Sequence, residues 1–256
     1  MIDPVNRFTT KAERYVLYRW EYAPEAIKEI FNITGLTSIA CVADIGSGTG
    51  LLTEHLIGKV KTVYSIEPNH AMRQIAERLL NQYPSYISLD GKAEATLLPD
   101  NSVDLITVDQ ALHWFVPHAA LKEFNRILKP DGWLAILSHT TIQQEVSEAL
   151  KKCFTEEYGW DPRSSPEPFY GESHEDYYLI PGECRKMHFH QAWQENWDMF
   201  IGGILSDSHA PEDSNTAFPK FVKAIRQIFD QYSRDDFIQV DGGTELTVGH
   251  LREDVI

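Results

Sequence analysis

Hydrophobic and polar positions repeat with two different periods along this chain, and the two periods alternate. Short apolar runs of strand character are followed, in most places, by stretches in which apolar residues recur at helical spacing. The strand-like runs cover residues 39–45, 61–66, 86–90, 103–108, 132–138, 184–191 and 237–246. Helical spacing covers residues 8–31, 51–57, 142–157, 193–205 and 218–232, and the stretch after Asn69. This alternation predicts an α/β protein with a doubly wound, mostly parallel sheet.

Three segments interrupt the pattern. Pro130-Asp131-Gly132 predicts a turn directly before the fifth strand. Gly242-Gly243 predicts a bulge or a turn within the last strand. Residues 158–183 lose periodicity and contain several prolines, so we expect irregular structure there.

The junction between the first predicted strand and its helix carries the clearest chemical signal. After an apolar run ending in Asp44, the chain has glycine at every second position, at Gly46, Gly48 and Gly50. Glycine lets the backbone approach a ligand closely, and helix N-terminal N–H groups point outward at this edge. The spacing is G-x-G-x-G, and the third glycine of a dinucleotide fingerprint would have to be Leu51.

The acid beside this loop helps to distinguish two cofactors. An ionised Asp44 next to a pyrophosphate is electrostatically unfavourable, whereas the same carboxylate next to an ammonium or sulfonium group is favourable. S-adenosylmethionine carries both cations and no phosphate. Asp44 therefore favours S-adenosylmethionine over NAD.

A second acid ends the second predicted strand. Glu67 follows Gly46 at the interval at which a strand-end carboxylate can accept both ribose hydroxyls of a nucleoside. It would serve NAD equally well. Pro68 and Asn69 follow, and Asn69 is a good N-cap for the next helix. Met72 in its first turn either covers an adenine ring or fills the core.

Further motifs follow in order along the chain: GKAEATLLPD at 91–100, SVDLITVDQALHWF at 102–115 and RILKPDGW at 126–133. Together with the glycine loop they resemble the class I S-adenosylmethionine-dependent methyltransferases. More narrowly, the chain resembles the small-molecule branch related to trans-aconitate and quinone-biosynthesis methyltransferases. The resemblance covers roughly residues 8–140.

The resemblance implies a Rossmann-like methyltransferase fold with a seven-stranded sheet, whose last two strands pair antiparallel beside the fifth. We expect a single domain, with N-terminal cap helices at 1–36 and a cofactor-binding core at 37–140. Residues 141–235 would be a substrate-side helical insertion with one strand, acting as a lid or packing onto the sheet. Residues 236–256 would hold the final strand.

The resemblance also implies roles for individual residues. Asp44 would orient the cofactor ammonium group and Glu67 would hold the ribose, while Ala93 and Glu94 would contact adenine. Lys92 stands where many relatives carry an aspartate, and Glu94 can replace that acid. The other cofactor-binding candidates are Arg19, Gly46, Ser47, Gly48, Gly50, Pro68, Met72 and Gln110.

Arg19 is a candidate because a helix would place it on one face with Tyr15, four positions earlier. The cap could bring its guanidinium to the cofactor carboxylate as a bidentate partner, or Arg19 could form a surface salt bridge.

Methyl transfer requires the acceptor to be held in near-attack geometry, and it requires a base only when the acceptor is protonated. His113 is a candidate general base because it follows the fourth strand and titrates near neutrality, although it could be structural. Candidate substrate-side residues are Tyr15, Tyr18, Trp114 and His139. Cys184, His188 and His190 could suggest a metal site, but strand alternation explains them, so no metal is expected.

The composition of the chain limits the classes of molecule that it is expected to bind. The 38 acidic and 23 basic residues give a net charge of −15, and binding to a phosphate backbone needs a basic surface. Nucleic-acid amino-methyltransferases tend to carry Asp/Asn-Pro-Pro-aromatic where this chain reads Asp109-Gln110-Ala111-Leu112. We therefore expect a small-molecule acceptor and no nucleic acid.

No apolar run approaches the ~18 residues of a membrane span, and the first residues lack signal-peptide character. These features and three scattered cysteines predict a cytoplasmic protein without a membrane partner. The sequence makes no prediction of the oligomeric state. An NAD-dependent oxidoreductase and a non-catalytic S-adenosylmethionine-binding module remain the alternative functions.

Overall fold

Seven strands form one sheet in the order β3-β2-β1-β4-β5-β7-β6 in a computed structural model that describes residues 9–141, 144–157, 174–207 and 209–253. The strands are β1 (Cys41–Ile45), β2 (Thr62–Ile66), β3 (Tyr86–Leu89), β4 (Val103–Asp109), β5 (Leu128–Thr141), β6 (Arg185–Glu195) and β7 (Ile238–Gly249). Strands β1 to β5 pair in parallel, and β7 pairs antiparallel with both β5 and β6. The doubly wound, mostly parallel sheet is confirmed.

The helices surround this sheet. They are α1 (Ala12–Tyr18), α2 (Pro24–Thr34), α3 (Leu51–Leu56), α4 (His70–Leu80), α5 (Pro117–Ile127), α6 (Gln144–Lys152), α7 (His174–Tyr178), α8 (Trp197–Ser206) and α9 (Phe218–Tyr232). A 3-10 turn covers Leu112–Trp114, and a π-helical turn, Cys153–Glu157, continues α6. No helix in the part of the chain that the structure describes is long and apolar enough to cross a membrane.

The chain order of the strands reverses between β1 and β4. From β1 the chain proceeds outward through β2 and β3, and it then returns to β4 on the other side of β1. In open α/β sheets, ligands bind beyond the carboxyl ends of the strands at such a reversal. The glycine loop after β1 and the end of β4 at Asp109 both lie at this position.

Local sequence explains the main helix boundaries. Asn69 caps α4, because its side-chain oxygen accepts a hydrogen bond from the backbone N–H of Met72 at 3.1 Å. Pro24 occupies the first turn of α2, where its missing N–H costs nothing, and Gly35 ends that helix with φ of 63°.

The predicted helical cap contains two helices in the described residues, because α1 ends at Tyr18 and Pro24 starts a second helix. The structure corrects two of the predicted strand boundaries. The fifth strand starts at Leu128, so the predicted turn at 130–132 is an irregularity within β5, where Asp131 has φ of 62°. The sixth strand continues to Glu195, beyond the predicted end at residue 191.

The predicted bulge or turn at Gly242-Gly243 is wrong. Both glycines pair in regular register with β5 on one side and β6 on the other. A Cβ at Gly243 would collide with the carbonyl oxygen of Phe189, so glycine allows the close approach of β6. The irregular structure predicted for 158–183 lies mostly outside the described residues, and its last part begins with α7.

Apolar residues form a core on each face of the sheet. One core includes Phe124 of α5, and the other joins Ile30 of α2 to Leu56 of α3. A third cluster packs α6, α8 and α9 against the start of β7, through residues such as Phe200 and Phe221. Apart from its β7 residues, this third cluster lies in the stretch 141–235 predicted as a substrate-side insertion.

Candidate cofactor and acceptor site

A cavity of about 270 Å³ lies at the carboxyl ends of the central strands. Its lining comprises Tyr15, Gly46, Gly48, Glu67, Pro68, Asn69, Met72, Lys92, Ala93, Glu94, Asp109, Gln110, Ala111, Trp114, Phe115 and Val116. We call this space the main cavity. Most of the residues predicted to bind the cofactor are in this lining, although they come from separate parts of the chain.

A smaller cavity of about 20 Å³ adjoins it. Asp44 and Ser47 line this smaller space together with Tyr22, and Asp109 borders both cavities. Two other predicted cofactor residues, Gly50 and Arg19, line neither of the two.

The three glycines of the loop all adopt positive φ, but for different reasons. A Cβ on Gly46 would lie 2.5 Å from Cβ of Ala111, so this glycine lets the loop after β4 approach. A Cβ on Gly50 would lie 2.6 Å from Cδ1 of Leu80, so Gly50 serves the packing of α3 against α4. Gly48 meets only the Met72 sulfur at 3.7 Å, and it lines the main cavity.

Glu67 connects the glycine loop to α4. Its Oε2 accepts the backbone N–H of Gly48 at 2.9 Å, and its Oε1 accepts that of Asn69 at 2.7 Å. Burial raises the pKa of Glu67 above its ordinary value, although these hydrogen bonds oppose the change. A carboxylate offers about four acceptor positions, so capacity for ligand hydroxyls remains.

Asp44 is buried beneath the loop. Its two oxygens accept hydrogen bonds from the hydroxyls of Thr53 at 2.6 Å and Thr107 at 2.8 Å. Burial raises the pKa of Asp44 from 3.8 to about 6. Asp44 therefore contributes negative potential at the floor of the site. Its two hydrogen bonds also hold the end of β1 against α3 and β4.

Asp109 is a site residue that sequence reasoning did not select. It ends β4 and lines the main cavity. Tyr22 donates its hydroxyl hydrogen to Oδ2 of Asp109 at 2.8 Å, whereas the buried Oδ1 has no hydrogen-bond partner among the described residues. Burial raises the pKa of Asp109 to about 7, and the neighbouring charge of Asp44 acts in the same direction. A polar residue directly after an apolar strand was the available signal, as at Asp44.

The far end of the main cavity contains the predicted adenine contacts. Ala93 is buried in the lining, and Lys92 and Ala95 close a tight turn around it through backbone hydrogen bonds. Oε1 of Glu94 accepts the backbone N–H of Val116 at 2.7 Å. Glu94 thereby joins two walls of the cavity, and its other carboxylate oxygen can accept a hydrogen bond from a ligand.

His113 does not line the main cavity, although its neighbour Trp114 does. The 3-10 turn at 112–114 directs the two rings differently, and they contact each other with centroids 4.9 Å apart. The structure therefore gives no geometric support for His113 as the base.

His139 packs within the aromatic cap. Its ring stacks on Tyr22 with centroids 5.0 Å apart and meets Trp20 edge-on at 6.1 Å. Burial, and then the charge of Arg19, lower the pKa of His139 to about 4. The imidazole is therefore neutral at physiological pH, and it does not line the main cavity.

A second cavity, of about 230 Å³, lies between the cap and the third apolar cluster. We call it the cap cavity. Tyr18, Arg19 and Trp20 contribute to its wall, so Tyr18 lies here rather than in the main cavity. The Arg19 guanidinium lies 4.3 Å from the ring centroid of Tyr15, which lines the main cavity. These two residues therefore separate the two spaces.

Three buried or half-buried acids and an open glycine loop have the charge and the space that suit a cationic nucleoside ligand. Asp44, Glu67 and Asp109 give negative potential, which would repel a pyrophosphate and attract an ammonium or sulfonium group. The unpartnered Oδ1 of Asp109 is an acceptor for such a donor. Met72 and Phe115 provide apolar surface in the same lining. The residues present thus fit S-adenosylmethionine.

Comparisons with known proteins find methyltransferases, which use this cofactor by family. Residues 43–136 match the family described as "Methyltransferase domain". The chain is 35% identical over 133 residues to an uncharacterised methyltransferase of Mycobacterium tuberculosis. The matched stretch covers 52% of each protein. It is also 35% identical over 114 residues to the ubiquinone/menaquinone biosynthesis C-methyltransferase of Shewanella oneidensis. That matched stretch covers 41% of this chain and 45% of the relative.

A solved structure extends the likeness in fold. A provisionally assigned type II methyltransferase from Anaeromyxobacter dehalogenans matches 91% of this chain and 98% of its own, with a TM-score of 0.58 and 21% identity. The chain is thus similar to methyltransferases over residues 43–136, and the solved structure extends the likeness in fold to most of the chain. It spans about half the length of the curated relatives it matches in sequence.

Proposed function

We propose that this protein transfers a methyl group from S-adenosylmethionine to a small-molecule acceptor. The observation that carries the proposal is the arrangement of Glu67 and Asp109 around the G-x-G-x-G loop, within a region that matches the methyltransferase domain family. The acidic balance of the chain and its aromatic cap favour a small acceptor over a nucleic acid.

Each residue around the main cavity has a role in this proposal. Glu67 accepts the ribose hydroxyls while two backbone N–H groups hold its carboxylate in place. Oδ1 of Asp109 accepts from the ammonium group, and Asp44 adds negative potential behind it. Met72 and the backbone at Ala93 contact the adenine.

When bound, this cofactor supplies a methyl carbon on a positively charged sulfur, and the carbon–sulfur electron pair stays on sulfur as the acceptor's lone pair forms the new bond. The protein must hold the acceptor at about 3–3.5 Å from that carbon. Tyr15 and Trp114 line the main cavity on the side of the cap and the loop after β4. Their rings are therefore suited to position the acceptor and to exclude water.

A methyl-transfer assay tests this proposal. The purified protein is incubated with S-adenosylmethionine carrying a labelled methyl group and with a panel of carboxylic acids, phenols and amines. Labelled product and an equal amount of S-adenosylhomocysteine are expected with at least one class. Tight cofactor binding without turnover of any class would favour a non-catalytic binding module, and hydride transfer with NAD would refute the proposal.

A further inference from the structure

The cap cavity has apolar walls. It is lined by Tyr18, Arg19, Trp20, Val146, Ser147, Leu150, Phe154, Glu195, Phe200, Gly203, Ile204, Asp207, Ile238 and Val240. Most of this surface is aliphatic or aromatic and continues into the apolar cluster of α6, α8 and α9. A ligand seated there would place most of its surface against hydrocarbon.

Arg19 is the positively charged residue of this lining. Within the described part of the chain, its buried Nε has no hydrogen-bond partner, and its guanidinium forms no ion pair with a carboxylate. The guanidinium packs on the Tyr15 ring instead. The Arg19 side chain as a whole is half-buried, and its charge acts on Asp109 and Asp207 without forming an ion pair with either of them. A guanidinium can bind a carboxylate through two parallel hydrogen bonds.

The two acids of the lining already accept hydrogen bonds from other groups. Oε1 of Glu195 accepts the indole N–H of Trp20 at 2.7 Å and that of Trp193 at 2.9 Å. Oδ1 of Asp207 accepts the backbone N–H of His209 at 2.7 Å and contacts its ring Nδ1 at 2.9 Å. Both acids are held in place, and both would repel a second negative group on a ligand.

We infer that the cap cavity binds the methyl acceptor as a largely apolar molecule with a single carboxylate, which Arg19 holds. That the bound molecule is the methyl acceptor rests on the proposed function. That the cap cavity binds a carboxylate rests on the geometry of the cavity. The anchored carboxylate lies at the border with the main cavity, because Arg19 packs on Tyr15 and its charge acts on Asp109. A polyanion is excluded because Glu195 and Asp207 face the same space.

The experiment uses three probes that share one apolar body: 3-phenylpropanoate, 3-phenylpropanamide and 3-phenylpropylamine. Each is titrated by calorimetry into the protein alone and into the protein saturated with S-adenosylhomocysteine. Four variants and the wild type are compared. Arg19→Gln removes the charge, and Arg19→Lys keeps it without the planar pair of donors. Arg185→Gln is the matched control, since Arg185 is exposed at the start of β6.

Gly203→Leu provides an independent block of the cavity. A Cβ at this position would meet only the carbonyl oxygen of Tyr18, at 3.7 Å, so a side chain can enter without displacing the backbone. Leucine also has a higher helix propensity than glycine, so α8 should remain folded. Affinity for S-adenosylhomocysteine checks that the fold is intact.

Phenylpropanoate should bind wild type and Arg185→Gln at least ten times more tightly than the amide or the amine. Arg19→Gln should reduce that affinity at least tenfold, Arg19→Lys should reduce it less, and Gly203→Leu should abolish it. S-adenosylhomocysteine should bind all of them within about threefold of wild type. Equal binding of acid and amide, or unchanged acid binding by Arg19→Gln, would overturn the inference.

Two further outcomes identify the alternatives. If phenylpropanoate competes with S-adenosylhomocysteine and Arg19→Gln weakens the latter tenfold, the guanidinium serves the cofactor carboxylate and the inference is wrong. If S-adenosylhomocysteine fails to bind the wild type, the proposed function fails, while acid binding to the protein alone still decides whether the cap cavity is a carboxylate site.

Discussion

The hydroxyl of Tyr22 donates a 2.8 Å hydrogen bond to Oδ2 of Asp109 and so joins the N-terminal cap to the end of β4. This contact orients the carboxylate so that Oδ1 has no partner among the described residues and remains available to a ligand. The cap therefore contributes to the wall of the proposed cofactor site.

Replacing Tyr22 with phenylalanine should shift the titration of Asp109 upward. The lost hydrogen bond favours the ionised carboxylate, so without it the pKa of Asp109 should rise further above about 7. The pH at which S-adenosylhomocysteine affinity reaches half its maximum should rise with it, and the variant should lose about 1 kcal/mol of stability. Calorimetric titrations across pH measure the midpoint. An unchanged midpoint would show that Asp109 does not govern binding.

Asp109→Asn should stabilise the protein without ligand at alkaline pH. The folded-state pKa is raised from 3.8 to about 7, so the stability linked to the neutral form is fully present below about pH 4 and is lost as the pH rises through 7. Asparagine is neutral throughout. At pH 8 the melting temperature of the variant should exceed that of the wild type by at least about 2 °C, with a smaller difference at pH 5.5.

The same variant should bind S-adenosylhomocysteine at least tenfold more weakly at pH 8, because the charge that attracts the ammonium group is gone. A variant that melts below the wild type at pH 8 would contradict the assigned pKa. A variant that binds the ligand normally would contradict the assigned role.

Glu67→Gln should reduce affinity for S-adenosylhomocysteine by at least tenfold. The amide oxygen of glutamine can accept a hydrogen bond from the backbone N–H of Gly48 or of Asn69. The amide NH₂ group would then face the other N–H, donor against donor, and it cannot accept a hydrogen bond from a ribose hydroxyl. Glu54→Gln is the control, since Glu54 is exposed on α3 and its replacement changes the charge equally. Similar affinities for the two variants would show that Glu67 does not hold the ligand.

Gly50→Ala should destabilise the fold far more than Gly58→Ala. Both glycines have positive φ, at 87° and 78°, but a Cβ on Gly50 would lie 2.6 Å from Cδ1 of Leu80 whereas Gly58 has nothing within 4 Å. We expect roughly 1 kcal/mol of backbone strain at both positions and an additional cost of about 1–3 kcal/mol from crowding at Gly50. Urea unfolding compares the two free energies, and equal losses would contradict the packing role of Gly50.

The sheet and the glycine loop could be predicted because their signals are local. Strand periodicity, the glycine spacing and the acid at Asp44 all lie within short windows of the chain. The start of β5 could not be predicted in the same way. Asp131 adopts a positive φ within a strand, and only pairing with β4 extends that strand back to Leu128.

Long-range contacts account for the other differences. Asp109 gains its partner from Tyr22, 87 residues earlier, so no local pattern marks its free oxygen. Arg19 is brought to the cap cavity because α1 packs against α8, and the walls come from α6, α8 and two strands. Sequence spacing identified the Tyr15–Arg19 pair but could not show which cavity the guanidinium would face.

The acids of the main cavity should select S-adenosylmethionine over NAD. Calorimetric titration of the wild type at pH 8 with S-adenosylhomocysteine and, separately, with NAD tests it most directly. We expect saturable binding of S-adenosylhomocysteine, with about 2.7 kcal/mol of added stability at 100 times the dissociation constant, and no saturable binding of NAD. Binding of NAD without S-adenosylhomocysteine would contradict it.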